Sequence, residues 1–252
     1  MDASAPRQPD EFFGTTIEFD DGTSYERCQS ITDYRRDPGE SRILYICRRT
    51  QKSGNGSDLT SQHSEQEEFV MKVKVQVPPR SASTDPKEPL PGPSETTAAE
   101  LKALRLFRDS SAEGVPHYIN SKCSPQGSDG PFPGGYISYT VMTKMPGQDL
   151  MAAKFWSLSD AEKEERRQAF LRVLKSIWRL GIAPYDCALR NVLWDPEQRK
   201  CSIVDFEHYH PAKDPINMHT TEEMQRWGLV QRPPPSHWAI EWGLIKEPGA
   251  TY

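Results

Sequence analysis

The amino-acid sequence predicts an α+β fold, with a sheet-rich first half and a mostly helical second half, on three observations. Strand-like runs of alternating or continuous apolar residues fall at 42–47, 69–75 and 136–142. A long amphipathic helix is signalled from Ser159 to about Leu180. After it, the short apolar runs 191–194 and 201–204 flank a polar segment with Pro196 at a favoured turn position, which reads as a β-hairpin.

The 252 residues suffice for one sizeable core or two small lobes around a cleft. Net charge is −5 and no Lys/Arg-rich block stands out, so neither nucleic acid nor a membrane surface is expected as a partner. Five scattered cysteines form no C-x-x-C pair, which favours reduced thiols. No basic-then-apolar leader opens the chain, and no apolar run approaches the roughly 20 residues that span a bilayer. A soluble cytoplasmic or nuclear protein is the expectation.

Residues 1–24 read as an N-terminal extension. Three polar or Pro/Gly-rich segments, 50–67, 77–97 and 124–135, read as mobile surface loops, because they carry too little apolar surface to offset ordering entropy. Between the last two loops, Glu100 shares a helical face with Ala103, Leu104 and Phe107. A carboxylate on an apolar stripe needs a partner, and Lys72 is the natural one. Thr97-x-x-Glu100 is equally a capping box, in which Glu100 would bond the backbone at the helix start.

In the second half, Ser159-x-x-Glu162 is a capping box. Phe170, Val173, Leu174, Ile177 and Trp178 form the buried stripe, and Gly181 is the stop. A short helix is expected at 221–227. Trp227, Trp238 and Trp242 read as core or docking aromatics, and His208 and His210 as surface histidines without complementary metal ligands.

The segment Asp186-Cys187-Ala188-Leu189-Arg190-Asn191, followed by the hairpin and Asp205-Phe206-Glu207, places two acids and an amide near one another. The open ends of a hairpin converge, so Asn191 and Asp205 are expected side by side, roughly 5 Å apart in backbone. Oxygen ligands of this kind suit Mg²⁺ on substrate phosphates. The pattern resembles the protein-kinase-like superfamily, which includes protein kinases and aminoglycoside-phosphotransferase-type small-molecule kinases. Residues 186–191 look like its D-x-x-x-x-N loop, and 205–207 like its D-F-G with Glu for Gly. Val70-Met71-Lys72 looks like the strand carrying the phosphate-pairing lysine. The likeness runs from about residue 25 to 209 in segment order.

The resemblance implies a two-lobed protein-kinase-like fold. Residues 25–143 would form an N-terminal lobe of antiparallel sheet plus one helix, 144–147 a hinge, and 148–252 a short, mostly helical C-terminal lobe. It implies ATP and Mg²⁺ as cofactors. Asp186 would be the base toward an unknown hydroxyl acceptor, and Asn191 and Asp205 the metal ligands. Lys72, braced by Glu100, would hold phosphates, and the hinge around Met145 would meet the nucleotide base. Solvated lysines at 72 and 74 are the competing reading of that strand. The chain departs from the family in three places. Only Gly39 lies between residues 25 and 47, where a glycine-rich phosphate loop would stand. Pro184 and Tyr185 replace the usual His and Arg, and no A-P-E follows Glu207. A third acid near the metal and a turn filler are both open for Glu207. A pseudokinase that binds without transfer, and a scaffold docking a protein through the Pro-rich 77–97 loop, are the alternative functions.

Overall fold

The computed structural model describes residues 13–37, 39–50, 67–78, 88–212 and 219–231. Half of the expected N-terminal extension, residues 1–12, and most of the 50–67 loop lie outside them. So do residues 79–87 of the second loop, and Trp238 and Trp242.

Twelve strands and three α-helices are described. In order they are β1 (Thr16–Glu18), β2 (Ser24–Ser30), β3 (Arg35–Asp37), β4 (Glu40–Arg49), β5 (Glu68–Gln76), α1 (Glu95–Asp109), β6 (Tyr118–Pro125), β7 (Tyr136–Thr143), β8 (Gln148–Asp149), α2 (Asp160–Arg179), β9 (Ile182–Pro184), β10 (Val192–Asp195), β11 (Lys200–Ile203), β12 (Tyr209–Pro211) and α3 (Thr220–Arg226). The fold is mixed α and β. An antiparallel sheet runs in the order β1-β2-β4-β5-β7-β6, with β3 also paired to β4.

Strand chemistry follows the pleat. On β4, Ser41, Ile43, Tyr45 and Cys47 are buried while the residues between them are not. Central β5 is buried on both faces. Met71, Val73 and Val75 join Tyr25, Tyr45, Tyr139 and Val141 in one apolar cluster. The opposite face of β5 carries Lys72, Lys74 and Gln76, also buried. A solvated lysine face is therefore excluded.

A second apolar cluster forms around α2. Its stripe Phe170, Leu174 and Ile177 packs with Val192, Trp194 and Ile203 of the β10–β11 hairpin, with Phe107 of α1, and with Phe206 and Trp227. The start of α2 is the expected one. Ser159 Oγ accepts from Glu162 N, and the Glu162 carboxylate accepts from Ser159 N. Gly181 follows at φ 82°, the left-handed turn that a side chain would strain.

Three expectations change. Helix α1 begins earlier than the Thr97 start, at Glu95, and Ser94 caps it by accepting from Thr97 N. The 77–97 loop is thus shorter, and Glu100 sits inside the helix rather than in a capping box. The 124–135 segment begins inside β6 and is pinned rather than loose. Buried Gln126 donates to Gln76 O and Tyr136 O and accepts from Phe132 N. Finally, the hairpin register sets Val192 opposite Ile203, and Val204 N donates to Asn191 O. Val204, not Asp205, is therefore the neighbour of Asn191, and Asp205 lies one residue beyond.

Candidate functional site

The inner face of the sheet concentrates charge. Strand register sets Arg42 of β4 opposite Lys74 of β5, while Lys72 lies two residues away on the same face. Like charges directly across a ladder repel. They are tolerated here because Glu207, arriving from beyond the hairpin, reaches all three. Its carboxylate lies 2.9 Å from Lys72 Nζ, 3.2 Å from Lys74 Nζ and 2.7 Å from Arg42 Nη1. Lys74 also meets Glu40 at 3.1 Å and donates to Thr96 Oγ1.

Lys72 is the hub. Its ammonium donates to Glu100 Oε1 at 2.6 Å and lies 3.3 Å from Asp205 Oδ1. Three acids from one helix and one post-hairpin segment thus converge on one lysine that is 5% exposed. Among the described residues, carboxylate oxygens of Glu100, Asp205 and Glu207 all lie within 4.8 Å of one another. Their environments differ. Glu100 and Glu207 are buried, but the Asp205 side chain is 26% exposed. Asp205 also adopts φ 68°, a left-handed conformation that Asp tolerates better than most residues. It is the member of the group that a ligand can approach from solvent.

Burial alone would push the Lys72 ammonium toward neutrality, but Glu100, Asp205 and Glu207 outweigh it and hold its pKa above the ordinary value. Burial likewise opposes ionisation of Glu207, yet Lys72, Lys74 and Arg42 bring its pKa down to about 2. Burial raises Glu100, with repulsion from Glu207 and Asp205 adding to it against the pull of Lys72. The second oxygen of Glu100, Oε2, is buried without a hydrogen-bond partner among the described residues, an unmet acceptor inside the cluster.

Asp186 belongs to a separate group. The loop after β9 turns through a short 3₁₀ segment at Leu189–Asn191, which brings Arg190 Nη2 to 2.7 Å from both Asp186 oxygens. Both partners are substantially solvent-exposed, so this pair contributes only about 0–1 kcal/mol and can open readily. Buried Asn191 donates from Nδ2 to Asp186 O at 2.9 Å, which fixes the loop and makes its amide oxygen the remaining acceptor. The exposed Tyr185 ring stacks edge-on against His210 beside this loop.

The structure therefore joins Lys72, Glu100 and Asp205 directly, and Asp186 with Asn191. The hairpin is the covalent and hydrogen-bonded link between the two groups. Met145 follows β7 and lines a different surface, its sulfur accepting from Thr143 Oγ1 at 4.0 Å. Arg42 and Glu40 were not among the residues the sequence singled out, and Lys74 entered only in the competing reading of a solvated lysine face. The alternation that pairs Lys72 with Lys74 was visible, but the β4–β5 register that adds Arg42 was not. Glu207 proves to be more than a turn filler.

No protein-family model matches the chain, and no curated protein matches it. Among solved structures, the kinase PK-1 of Cydia pomonella granulovirus superposes with a TM-score of 0.46 at 16% identity. The match covers 74% of this chain and 52% of the viral kinase, so the chain spans about half the length of that protein.

Proposed function

We propose that the chain is a compact, two-lobed kinase-like domain that transfers a phosphoryl group from ATP to a hydroxyl acceptor. The observation that carries this reading is the buried Lys72, bonded to Glu100 of α1 and to Asp205 beyond the hairpin. A lysine kept protonated in a buried site is suited to phosphate oxygens, and Glu100 holds it in one orientation. Segment 144–147, around Met145, is the hinge that would meet the nucleotide base.

The donor set fits Mg²⁺ in chemistry. Asp205 is a partly exposed carboxylate, Asn191 offers an amide oxygen, and Glu100 Oε2 is an unmet buried acceptor nearby. Asn191 and Asp205 would hold the ion, which when bound would neutralise charge on the phosphates. Asp186 would orient the acceptor hydroxyl and take its proton once Arg190 swings away. Acceptor and nucleotide are the expected partners.

A pseudokinase is the second reading, favoured by one observation. Glu207 already satisfies Lys72, Lys74 and Arg42, so phosphate must displace an internal carboxylate to reach them.

Thermal-shift titration with ATP, with and without Mg²⁺, tests the proposal. Ligand at 100 times its dissociation constant should stabilise the protein by about 2.7 kcal/mol, and Asp205→Asn should remove the Mg²⁺-dependent part. No shift at millimolar nucleotide would sink the kinase reading and leave a pseudokinase or scaffold that binds a partner without nucleotide. A shift with no labelled phosphate transferred to any metabolite or protein pool would leave the pseudokinase.

A further inference from the structure

A groove of about 1040 Å³ runs along α2, between the loop that follows α1 and the β10–β11 turn. Its charge is opposite in sign to that of the whole chain, which carries −5. Arg172 and Arg179, two turns apart on α2, and Arg199 and Lys200 on the turn all line it, against Glu113 and Asp195. Two of these six are already engaged. Asp195 Oδ1 accepts from Glu197 N and Gln198 N within its own turn, and Arg199 pairs with Glu165. The remaining three cations, Arg172, Arg179 and Lys200, have no ion-pair or hydrogen-bond partner among the described residues, and one acid, Glu113, stands against them.

The groove is built rather than incidental. Its wall is fastened to its floor: Ile203 N donates to Gly114 O at 2.8 Å, and the His117 ring bonds Ala112 O at 2.7 Å. Gly114 lies so close to α2 that a Cβ there would stand 2.6 Å from Val173 Cγ2. Between and beside the cations the lining mixes apolar Val173, Pro146 and Leu180 with the hydroxyl of Ser176.

We infer that this groove docks an extended acidic peptide segment of a partner protein, in which apolar residues stand between carboxylates. The seven-residue step from Arg172 to Arg179 rises about 10 Å along the helix. Three residues of an extended polyproline II chain make one full turn and rise about 9 Å, so carboxylates three apart return to the same face and meet successive arginines while the residues between them lie against the rest of the groove. Charge complementarity of this kind sets partner choice and on-rate. Nucleic acid is the poorer fit, because no Phe, Tyr or Trp lines the groove among the described residues to stack a base. The groove shares Met145 and Pro146 with the proposed hinge, but the three cations left unpaired among the described residues are not part of the Lys72 cluster, so the inference does not require phosphoryl transfer.

Fluorescence anisotropy on the full chain tests it, using a fluorescein-labelled peptide of about eight residues with glutamates three apart and leucine or valine between them. The peptide should bind, should weaken with added salt, and should lose at least tenfold in affinity against the Arg172→Glu/Arg179→Glu variant. A version with lysine in place of glutamate should not bind. Circular dichroism melting checks that the variant is folded; if it is not, Lys200→Glu alone, on the exposed turn, should weaken binding at least threefold. The inference is overturned by absence of binding, by affinity unchanged in the folded variant, or by a single-stranded RNA oligonucleotide that binds more tightly through the same arginines.

Discussion

Glu207 neutralises three cations that the sheet would otherwise hold against one another, and this makes its ionisation part of the stability of the fold. Its pKa falls from 4.5 to about 2 in the folded chain. A depressed carboxylate contributes stability that is present above its unfolded pKa and is lost as pH falls through the folded one. The window is therefore about pH 4.5 down to 2, and the contribution is on the order of 3 kcal/mol. Glu100 has the opposite sign. Its raised pKa favours the folded state at low pH, and that share is lost as pH rises through the folded pKa. Glu207→Gln should lower the melting temperature at pH 7 and flatten its decline between about pH 4.5 and 2. A variant melting profile that stays parallel to wild type in that window would refute the assignment. Lys72→Met leaves Glu100 and Glu207 buried without their shared cation and should cost about 3–5 kcal/mol in urea unfolding. Adding Glu100→Gln should recover part of that loss. In the sequence, Lys72 and Glu100 were legible because a charge on an apolar stripe demands a partner. Glu207 was read only as a third acid or a turn filler, and its meeting with Arg42 was not legible, because it depends on strand register and on where a hairpin delivers its far end.

Elements were legible in proportion to how local their signals are. Helix α2 could be read nearly to the residue, since its capping box, stripe and glycine stop all lie within the segment. Helix α1 misled because two cap signals overlap. Ser94 and Thr97 each stand ahead of helix-forming residues, and the tie is broken by Lys72, which draws Glu100 away from the helix start. Ser94→Ala should therefore destabilise the chain by about 1 kcal/mol in thermal unfolding. Strand β6 escaped detection because Tyr118–Pro125 is polar and half-buried at a sheet edge, where the partner strand β7 supplies what alternation does not. The segment after β7 depends on one glycine. Gly147 has φ 97°, and a Cβ there would lie 2.2 Å from Trp194 O and 2.4 Å from Trp194 C, both backbone atoms that cannot rotate aside. Gly147→Ala should thus break the β8–β10 pairing at a cost on the order of 3 kcal/mol or more. That outweighs the gain of about 0.4–1 kcal/mol that such a change gives where the backbone permits it. An unchanged denaturant midpoint for this variant would contradict the close approach.

At the scale of the molecule, residues 205–207 stitch two apolar clusters together. Phe206 is buried in the cluster around α2, its ring 4.7 Å from that of Phe107, while its neighbours Asp205 and Glu207 bind lysines on the face of the sheet behind which the other cluster lies. One turn of backbone thus ties hydrophobic packing on one side to ion pairing on the other. Two cysteines report on the two sides separately. Cys47 is buried in the sheet cluster and Cys201 in the α2 cluster, and burial pushes each thiol up to about 12. Each therefore stays unreactive until its own cluster opens. In the wild-type chain, thiol labelling along a urea gradient should expose both on one curve, because the stitch makes opening cooperative. Phe206→Ala should cost about 3–5 kcal/mol through the cavity it leaves, and it should also separate the two curves. The order of opening then identifies which cluster depends on the other. Superimposed curves in a destabilised Phe206→Ala protein would mean that cooperativity runs instead through the contact of the 110–117 loop with β11 and α2, and that the site is not what joins the two halves.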